Sequence, residues 1–271
     1  MIIERAYAKI NLALEVMGIK DGYHMVNNLM IPINLYDEIS FEESNDIELV
    51  NNTFSDNIIL KAAKLFIEKY NIKSGVKMVL TKNIPSAAGL AGGSSDAAAT
   101  LRGLNKLFGN IATKEELLEL AANLGSDVPF FVDMKLALCV GRGEIVKTCD
   151  IKYSSFDILL IKPQSGLSTK EVYKAYKYDG SNKEYKIKNI LKALENNNFD
   201  LLEENIFNDL TIPALGLNEE LNDIYNYLKE VSNIHLSGSG PTMFIINPTK
   251  ENIDLVNQKY KDCFICLCKT I

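Results

Sequence analysis

From Ala6 to Leu12 small and apolar residues (Ala6, Ala8, Ile10, Leu12) alternate with polar ones (Tyr7, Lys9, Asn11). This reads as a short β-like run. Lys20-Asp21-Gly22 interrupts the pattern as a turn, and residues 24–35 and 36–44 predict two further strands. The period then changes. Residues 56–70 place apolar side chains at helical spacing, with Ser55 or Asp56 as N-cap. Residues 76–82 read as a strand that runs into a glycine-rich stretch and an alanine-rich helix, AAATLRGLNKLF. Residues 114–124 predict another helix, capped by Thr113 and followed by Gly125.

In the second half, 156–162 predicts a strand, 163–166 a break and 168–176 a helix. The lysine-rich run 177–188 reads as an exposed loop. Helical segments follow around 187–204 and 218–231, then a strand, glycine loop and strand over 234–247, a last helix and a cysteine-bearing strand. The pattern predicts an α+β chain of two mixed domains, 1–152 and 153–271, with a cleft between them.

Composition narrows the function classes. The 271 residues are enough for a packed core without disulfide staples. A net charge of −6 argues against general nucleic-acid binding, which needs a basic surface. No apolar run approaches the roughly 18 residues of a membrane span, and the N-terminus lacks the pattern of a signal peptide. The expectation is a cytoplasmic protein. Among five cysteines, Cys263 and Cys266 match a CxxC spacing. The surrounding KDCFICLCKT reads as a strand, where residues three apart point to opposite faces and suit neither a metal nor a dithiol.

The most informative stretch is Lys82-Asn-Ile-Pro-Ser-Ala-Ala-Gly89-Leu-Ala-Gly92-Gly93-Ser94-Ser95-Asp96. Glycines let a backbone approach a ligand closely. The helix start that follows offers unpaired N–H groups and a partial positive charge to phosphate. The stretch is neither a Walker A loop, lacking its Gly-Lys-Ser/Thr, nor the dinucleotide GxGxxG. Taken alone it reads equally well as a tightly packed helix cap.

Three stretches in order change that balance. PSAAGLAGGSSDAAA resembles the ATP loop of the GHMP kinases, the family of galactose, homoserine, mevalonate and phosphomevalonate kinases. Leu236-Ser-Gly238-Ser-Gly240-Pro241-Thr resembles their C-terminal glycine motif, and Ala8-Lys9-Ile-Asn11-Leu their N-terminal one. The resemblance implies a ribosomal-S5-domain-2-like N-terminal domain and a ferredoxin-like C-terminal domain, with the active site in the cleft between them. It implies ATP as co-substrate and Mg2+. It assigns ATP to Pro85, Ser86, Ala87, Ala88, Gly89, Leu90, Ala91, Gly92, Gly93, Ser94, Ser95 and Asp96, with Asn57 and Lys82 near the base and ribose.

Asp21-Gly-Tyr23-His24, Gly125-Ser-Asp127-Val-Pro129, Gly141-Arg-Gly143-Glu and Asn208-Asp209-Leu resemble the branch of that family whose acceptor is a cytidine-diphosphate polyol. This branch phosphorylates a 2-hydroxyl on the non-mevalonate route to isoprenoid precursors. The resemblance makes Asp127 the general base with Lys9 beside it. It gives Tyr23, His24 and Tyr173 to cytidine, and Asn11, Thr169, Gly238, Ser239 and Gly240 to the substrate. A tyrosine face can stack on a pyrimidine. His235 reads as structural. No carboxylate pair for Mg2+ stands out, which leaves Ser94 or Ser95 with the nucleotide phosphates. The expected partners are small molecules, without nucleic acid or membrane, and the chain is a monomer or homodimer.

One position departs from the family pattern: Ala91 stands where the loop usually has its middle glycine. At positive φ alanine costs about 1 kcal/mol there, and at negative φ nothing. Three other readings compete: another GHMP kinase such as homoserine or mevalonate kinase, a non-catalytic ligand sensor, and an RNA-binding role for an S5-like domain.

Overall fold

The computed structural model describes residues 1–50, 57–178 and 180–271. The N-terminal alternation becomes two long antiparallel strands, β1 (Ile2–Lys20) and β2 (Tyr23–Ser44). They turn at Asp21 and Gly22, both at positive φ. The stretches 24–35 and 36–44, expected as separate strands, form one strand of 22 residues. Register shifts between Tyr7 and Ala8, Asn11 and Ala13, and Val16 and Ile19 explain the difference. Bulges let a long strand bend without ending.

β3 (Ile47–Val50) and β4 (Gly75–Thr81) extend this sheet on one side, and the hairpin β5 (Ala137–Gly141) and β6 (Ile145–Thr148) pairs with the first half of β2. Helices α1 (Ile58–Lys69), α2 (Gly92–Leu107), α3 (Lys114–Leu124) and the short α4 (Phe130–Asp133) pack against it. The cap of α1 is Asn57, whose side chain accepts from the Ile59 N–H; Ser55 and Asp56 lie outside the described residues. Thr113 and Glu116 close a capping box on α3. Phe41 and Phe66 are fully buried in this core, and each contributes roughly 1.5–3 kcal/mol.

A second sheet runs β11 (Phe264–Lys269), β7 (Asp157–Lys162), β10 (Met243–Ile246), β9 (His235–Leu236). Around it lie α5 (Thr169–Ala175), α6 (Glu184–Glu195), α7 (Phe199–Asn205), α8 (Thr211–Leu217), α9 (Glu219–Lys229) and α10 (Lys250–Lys259). The segment expected around 187–204 is two helices, because Asn197 turns left-handed and Asn198 caps α7. The exposed loop stops earlier than expected, since Glu184 already begins α6. α8 was not expected; its Pro213 lies in the first turn, where no intrahelical N–H is lost.

The two sheets meet. β8 (Phe207–Asn208) joins the first sheet parallel to β1. Ala8, Ile10 and Leu12 of β1 pack in one cluster with Ile158, Leu160 and Phe244 of the second sheet. Strand alternation then turns Lys9 and Asn11 to the opposite face. The strand expected over KDCFICLCKT begins at Phe264, so Cys263 lies just before it; Cys263 still packs into a different cluster from Cys266, and all five thiols are free. Among the described residues no group of His, Cys, Asp or Glu could hold a metal ion by itself, and no helix is long and apolar enough to cross a membrane.

Candidate active site

A cavity of about 840 Å³ gathers Lys9 and Asn11 from β1, the glycine-rich loop, Asp127, Thr169 and Tyr173 from α5, and Gly238 and Ser239. The expected nucleotide positions Asn57, Lys82, Pro85, Ser86, Ala87, Ala88, Gly89, Ala91, Gly92, Gly93, Ser94 and Asp96 line it. Leu90 and Ser95 are fully buried instead. Leu49, Val50, Ile58 and Leu80 add an apolar wall on the nucleotide side, and no motif in the sequence marks them as site residues.

The loop is built against the second glycine motif. A Cβ on Gly89, which sits at φ +73, would lie 2.2 Å from the Ser237 carbonyl oxygen. The Thr242 N–H donates to the Ala88 carbonyl at 3.3 Å. Only glycine permits this approach. Ala91 is the N-cap of α2 at φ 54, ψ 33, so the departure from the family pattern does store strain. Ala91→Gly relieves about 1 kcal/mol, largely offset by about 0.4–1 kcal/mol of unfolded-chain entropy. Its urea midpoint should therefore stay at or just above that of the parent. Ala91→Val, β-branched in the same backbone, should unfold at lower urea.

Lys82 lies between two carboxylates, bonding Asp37 and, at 2.9 Å, Asp96. Burial opposes its charge, but Asp96 and Asp37 outweigh that and raise its pKa. Burial pushes Asp96 up to about 7, with Lys82 opposing and the Asp37 charge adding. Asp37 Oδ1 also accepts from the Asn83 and Ile84 N–H groups at 2.6 and 2.8 Å, which fixes the entry to the loop.

Lys9 is 3% exposed. Its ammonium donates to Asn11 Oδ1 at 2.6 Å and to the Gly89 carbonyl at 2.7 Å. Burial lowers its pKa to about 8, against the raising influence of the Asp127 charge. Asp127 stands on the turn between α3 and α4, where the Val128 N–H closes onto the Gly125 carbonyl at 3.2 Å. The β5–β6 turn covers it: a Cβ on Gly143 would lie 3.7 Å from Asp127 Oδ1.

At the other end Tyr173 packs on His24, ring centroids 5.0 Å apart. His24 Nδ1 is buried without a hydrogen-bond partner. Tyr23 is 56% exposed, with the Arg142 guanidinium 4.9 Å from its ring centroid. Thr169 and Ser239 share a hydrogen bond of 2.8 Å that ties α5 to the second glycine loop. Gly240 faces Leu236 and Leu167 rather than the cavity. Asn208 Nδ2 donates to the Leu236 and Gly238 carbonyls at 2.9 and 2.8 Å and holds that loop from behind. His235 pairs with Glu203, away from the cavity lining.

Comparison with known proteins agrees with this geometry. The GHMP kinases N terminal domain matches residues 57–134, and the GHMP kinases C terminal domain matches residues 190–266. A 4-diphosphocytidyl-2-C-methyl-D-erythritol kinase of Clostridium tetani is 37% identical over 278 residues, covering 98% of this chain and 99% of its own. The enzyme of the same name from Bacillus subtilis is 42% identical over 253 residues, covering 90% and 87%. A crystal structure of 4-(cytidine 5'-diphospho)-2C-methyl-D-erythritol kinase superposes with a TM-score of 0.83 at 29% identity, over 98% of each chain. The chain belongs to the GHMP kinase family, in the group of its 4-diphosphocytidyl-2-C-methyl-D-erythritol kinases.

Proposed function

We propose that this chain transfers the γ-phosphate of ATP to the 2-hydroxyl of 4-diphosphocytidyl-2-C-methyl-D-erythritol. The observation that carries the reading is one cavity joining the glycine loop to Asp127, Lys9 and Tyr173. Phosphoryl transfer asks a protein mainly for positioning and charge neutralisation. The N–H groups at the start of α2 face the phosphates. Asp127 takes the proton of the acceptor hydroxyl, and the Lys9 ammonium offsets the negative charge gathering between acceptor and γ-phosphate. Mg2+ would arrive with the nucleotide and neutralise charge across its phosphates. Ser94 and Asp96 line the cavity there, and Asp96 Oδ1 is buried without a hydrogen-bond partner, which suits a cation.

The pyrimidine site supports a cytidine acceptor. His24 Nδ1 lacks a partner inside the protein and Tyr173 packs on its ring, while Tyr23, outside the cavity lining, is exposed beside Arg142. Losing a stacking aromatic costs about 1–3 kcal/mol in binding. Tyr23→Ala should therefore raise the acceptor KM roughly tenfold or more and leave the ATP KM nearly unchanged. A rise in the ATP KM alone would mean that the two ends of the cavity are reversed. A panel of homoserine, mevalonate and the cytidine-diphosphate acceptor separates this reading from the other family activities.

The lowered Lys9 pKa sets a pH dependence. The ammonium is present below about 8 and lost above it. The kcat/KM of the free enzyme should fall as pH rises through that value. Lys9→Arg, charged throughout, should flatten this limb while lowering the plateau.

A further inference from the structure

We infer that Asn28 is a positioning residue for Lys9, acting through the Asn11 amide; the inference rests on the phosphoryl-transfer reading above.

An ammonium has donors only. Lys9 spends one proton on Asn11 Oδ1 at 2.6 Å and one on the Gly89 carbonyl at 2.7 Å. An asparagine amide has an accepting end and a donating end, so it can serve Lys9 in only one of its two orientations. The other end decides which. Asn11 Nδ2 donates to Asn28 Oδ1 at 2.5 Å, both residues being buried. With the Asn28 oxygen accepting from Asn11 Nδ2, the Asn11 oxygen faces Lys9, and the three side chains form one donor-to-acceptor chain that starts at the ammonium.

Asn28 is well placed to act as the fixed point. It is 6% exposed, and β2 holds it between Leu14 of β1 and Cys139 of β5. Its position cannot drift unless both neighbouring strands move. Ser237 Oγ lies 3.3 Å from Asn11 Oδ1 and 3.0 Å from the Gly89 carbonyl oxygen, and its single proton can go to either. An Asn11 amide free to turn would present an N–H to the ammonium. An Asn28 oxygen accepting from Asn11 Nδ2 disfavours that state. Asn28 also lines the cavity, but nothing in this role requires it to touch a substrate.

Two substitutions of similar size pull in opposite directions. In Asn28→Leu the Asn11 amide loses its fixed partner. The charged form of Lys9 is then less well held, and the alkaline limb of kcat/KM should move to lower pH. In Asn28→Asp a carboxylate still accepts from Asn11 and adds a negative charge to the network. The limb should move to higher pH. Each shift should be about one pH unit, the scale of one hydrogen bond to a charged group. Asn28→Leu should also lower kcat about tenfold at neutral pH with little change in the ATP KM. Titration of Lys9 in the ligand-free protein, followed by NMR on lysine labelled at Cε and assigned with Lys9→Arg, should show the same order of midpoints.

A merely structural Asn28 would change stability and leave the Asn28→Leu limb in place, while the Asn28→Asp limb, which an added carboxylate moves by charge alone, is the control. An Asn28→Leu limb that does not move, or that moves the same way as the Asn28→Asp limb, would overturn the inference. If Asn28→Leu fails to fold, Asn28→Ala, which also removes the acceptor without adding charge, decides it in the same two measurements. If the parent enzyme releases no ADP with the cytidine acceptor, the phosphoryl-transfer reading fails instead, and the lysine titration still reports on Asn28.

Discussion

Asp127→Asn is expected to lower kcat by about 10²–10⁴-fold, the usual contribution of a positioned base, with both substrates still bound. The substitution keeps side-chain size and removes charge and basicity. The turn it occupies is held by the Val128 to Gly125 hydrogen bond and by the β5–β6 turn above it, so the backbone has little reason to move. Lys9→Met should also lose turnover. The double variant should fall far short of the product of the two losses, because the Asp127 charge acts on Lys9 and the pair works as a unit. Stopped-flow measurement of a single turnover separates this loss in the chemical step from slow product release. Near-normal turnover in Asp127→Asn would leave transfer driven by positioning and phosphate electrostatics alone.

Gly89→Ala should damage fold and chemistry together. The new Cβ would meet the Ser237 carbonyl at 2.2 Å and the Gly240 carbonyl at 3.0 Å, and φ at this position is +73. Both obstacles are backbone, so the two glycine loops must separate. The left-handed strain and the overpacking each cost about 1–3 kcal/mol. The Gly89 carbonyl also anchors Lys9, and a displacement near 1 Å at such a site can cost about 10²-fold in rate. Gly93→Val is the contrasting case. A Cβ there meets nothing closer than Ile58 at 4.0 Å, and Gly93 lines the cavity. Its urea midpoint should stay near that of the parent while nucleotide titration shows severe weakening. Equal nucleotide affinity in folded Gly93→Val would remove the loop from the ATP site.

The elements visible in the sequence are those whose pattern is local. The Ala6–Leu12 alternation, the Thr113 cap with Gly125, and the small-residue run before α2 each state their own structure within a dozen residues. What stayed hidden depends on partners distant in the chain. Asp37 looks like a polar residue within a strand, yet it is fully buried and bonds Asn83, Ile84 and Lys82. Asn27 and Asn28 are neighbours of one type on one strand. Alternation says that they face opposite ways, and only the folded pairing shows that Asn28 meets Asn11 while Asn27 meets Glu15. Arg142 gives no local sign that it lies over Tyr23. The φ of Ala91 was open because alanine fits either sign at modest cost; in the fold it is the left-handed N-cap of α2. The long β2 runs through the boundary between Leu35 and Tyr36 where two strands were expected, because the register shift between Tyr7 and Ala8 bends it there without ending it.

The most direct test of the account is ADP release by the purified chain given ATP, Mg2+ and 4-diphosphocytidyl-2-C-methyl-D-erythritol, with the product's phosphate located by NMR. The account predicts ADP release that depends on this acceptor, one phosphate per ADP, attached at the 2-hydroxyl, and little release with homoserine or mevalonate. Brisk turnover of either of those two, with none of the cytidine acceptor, would contradict it.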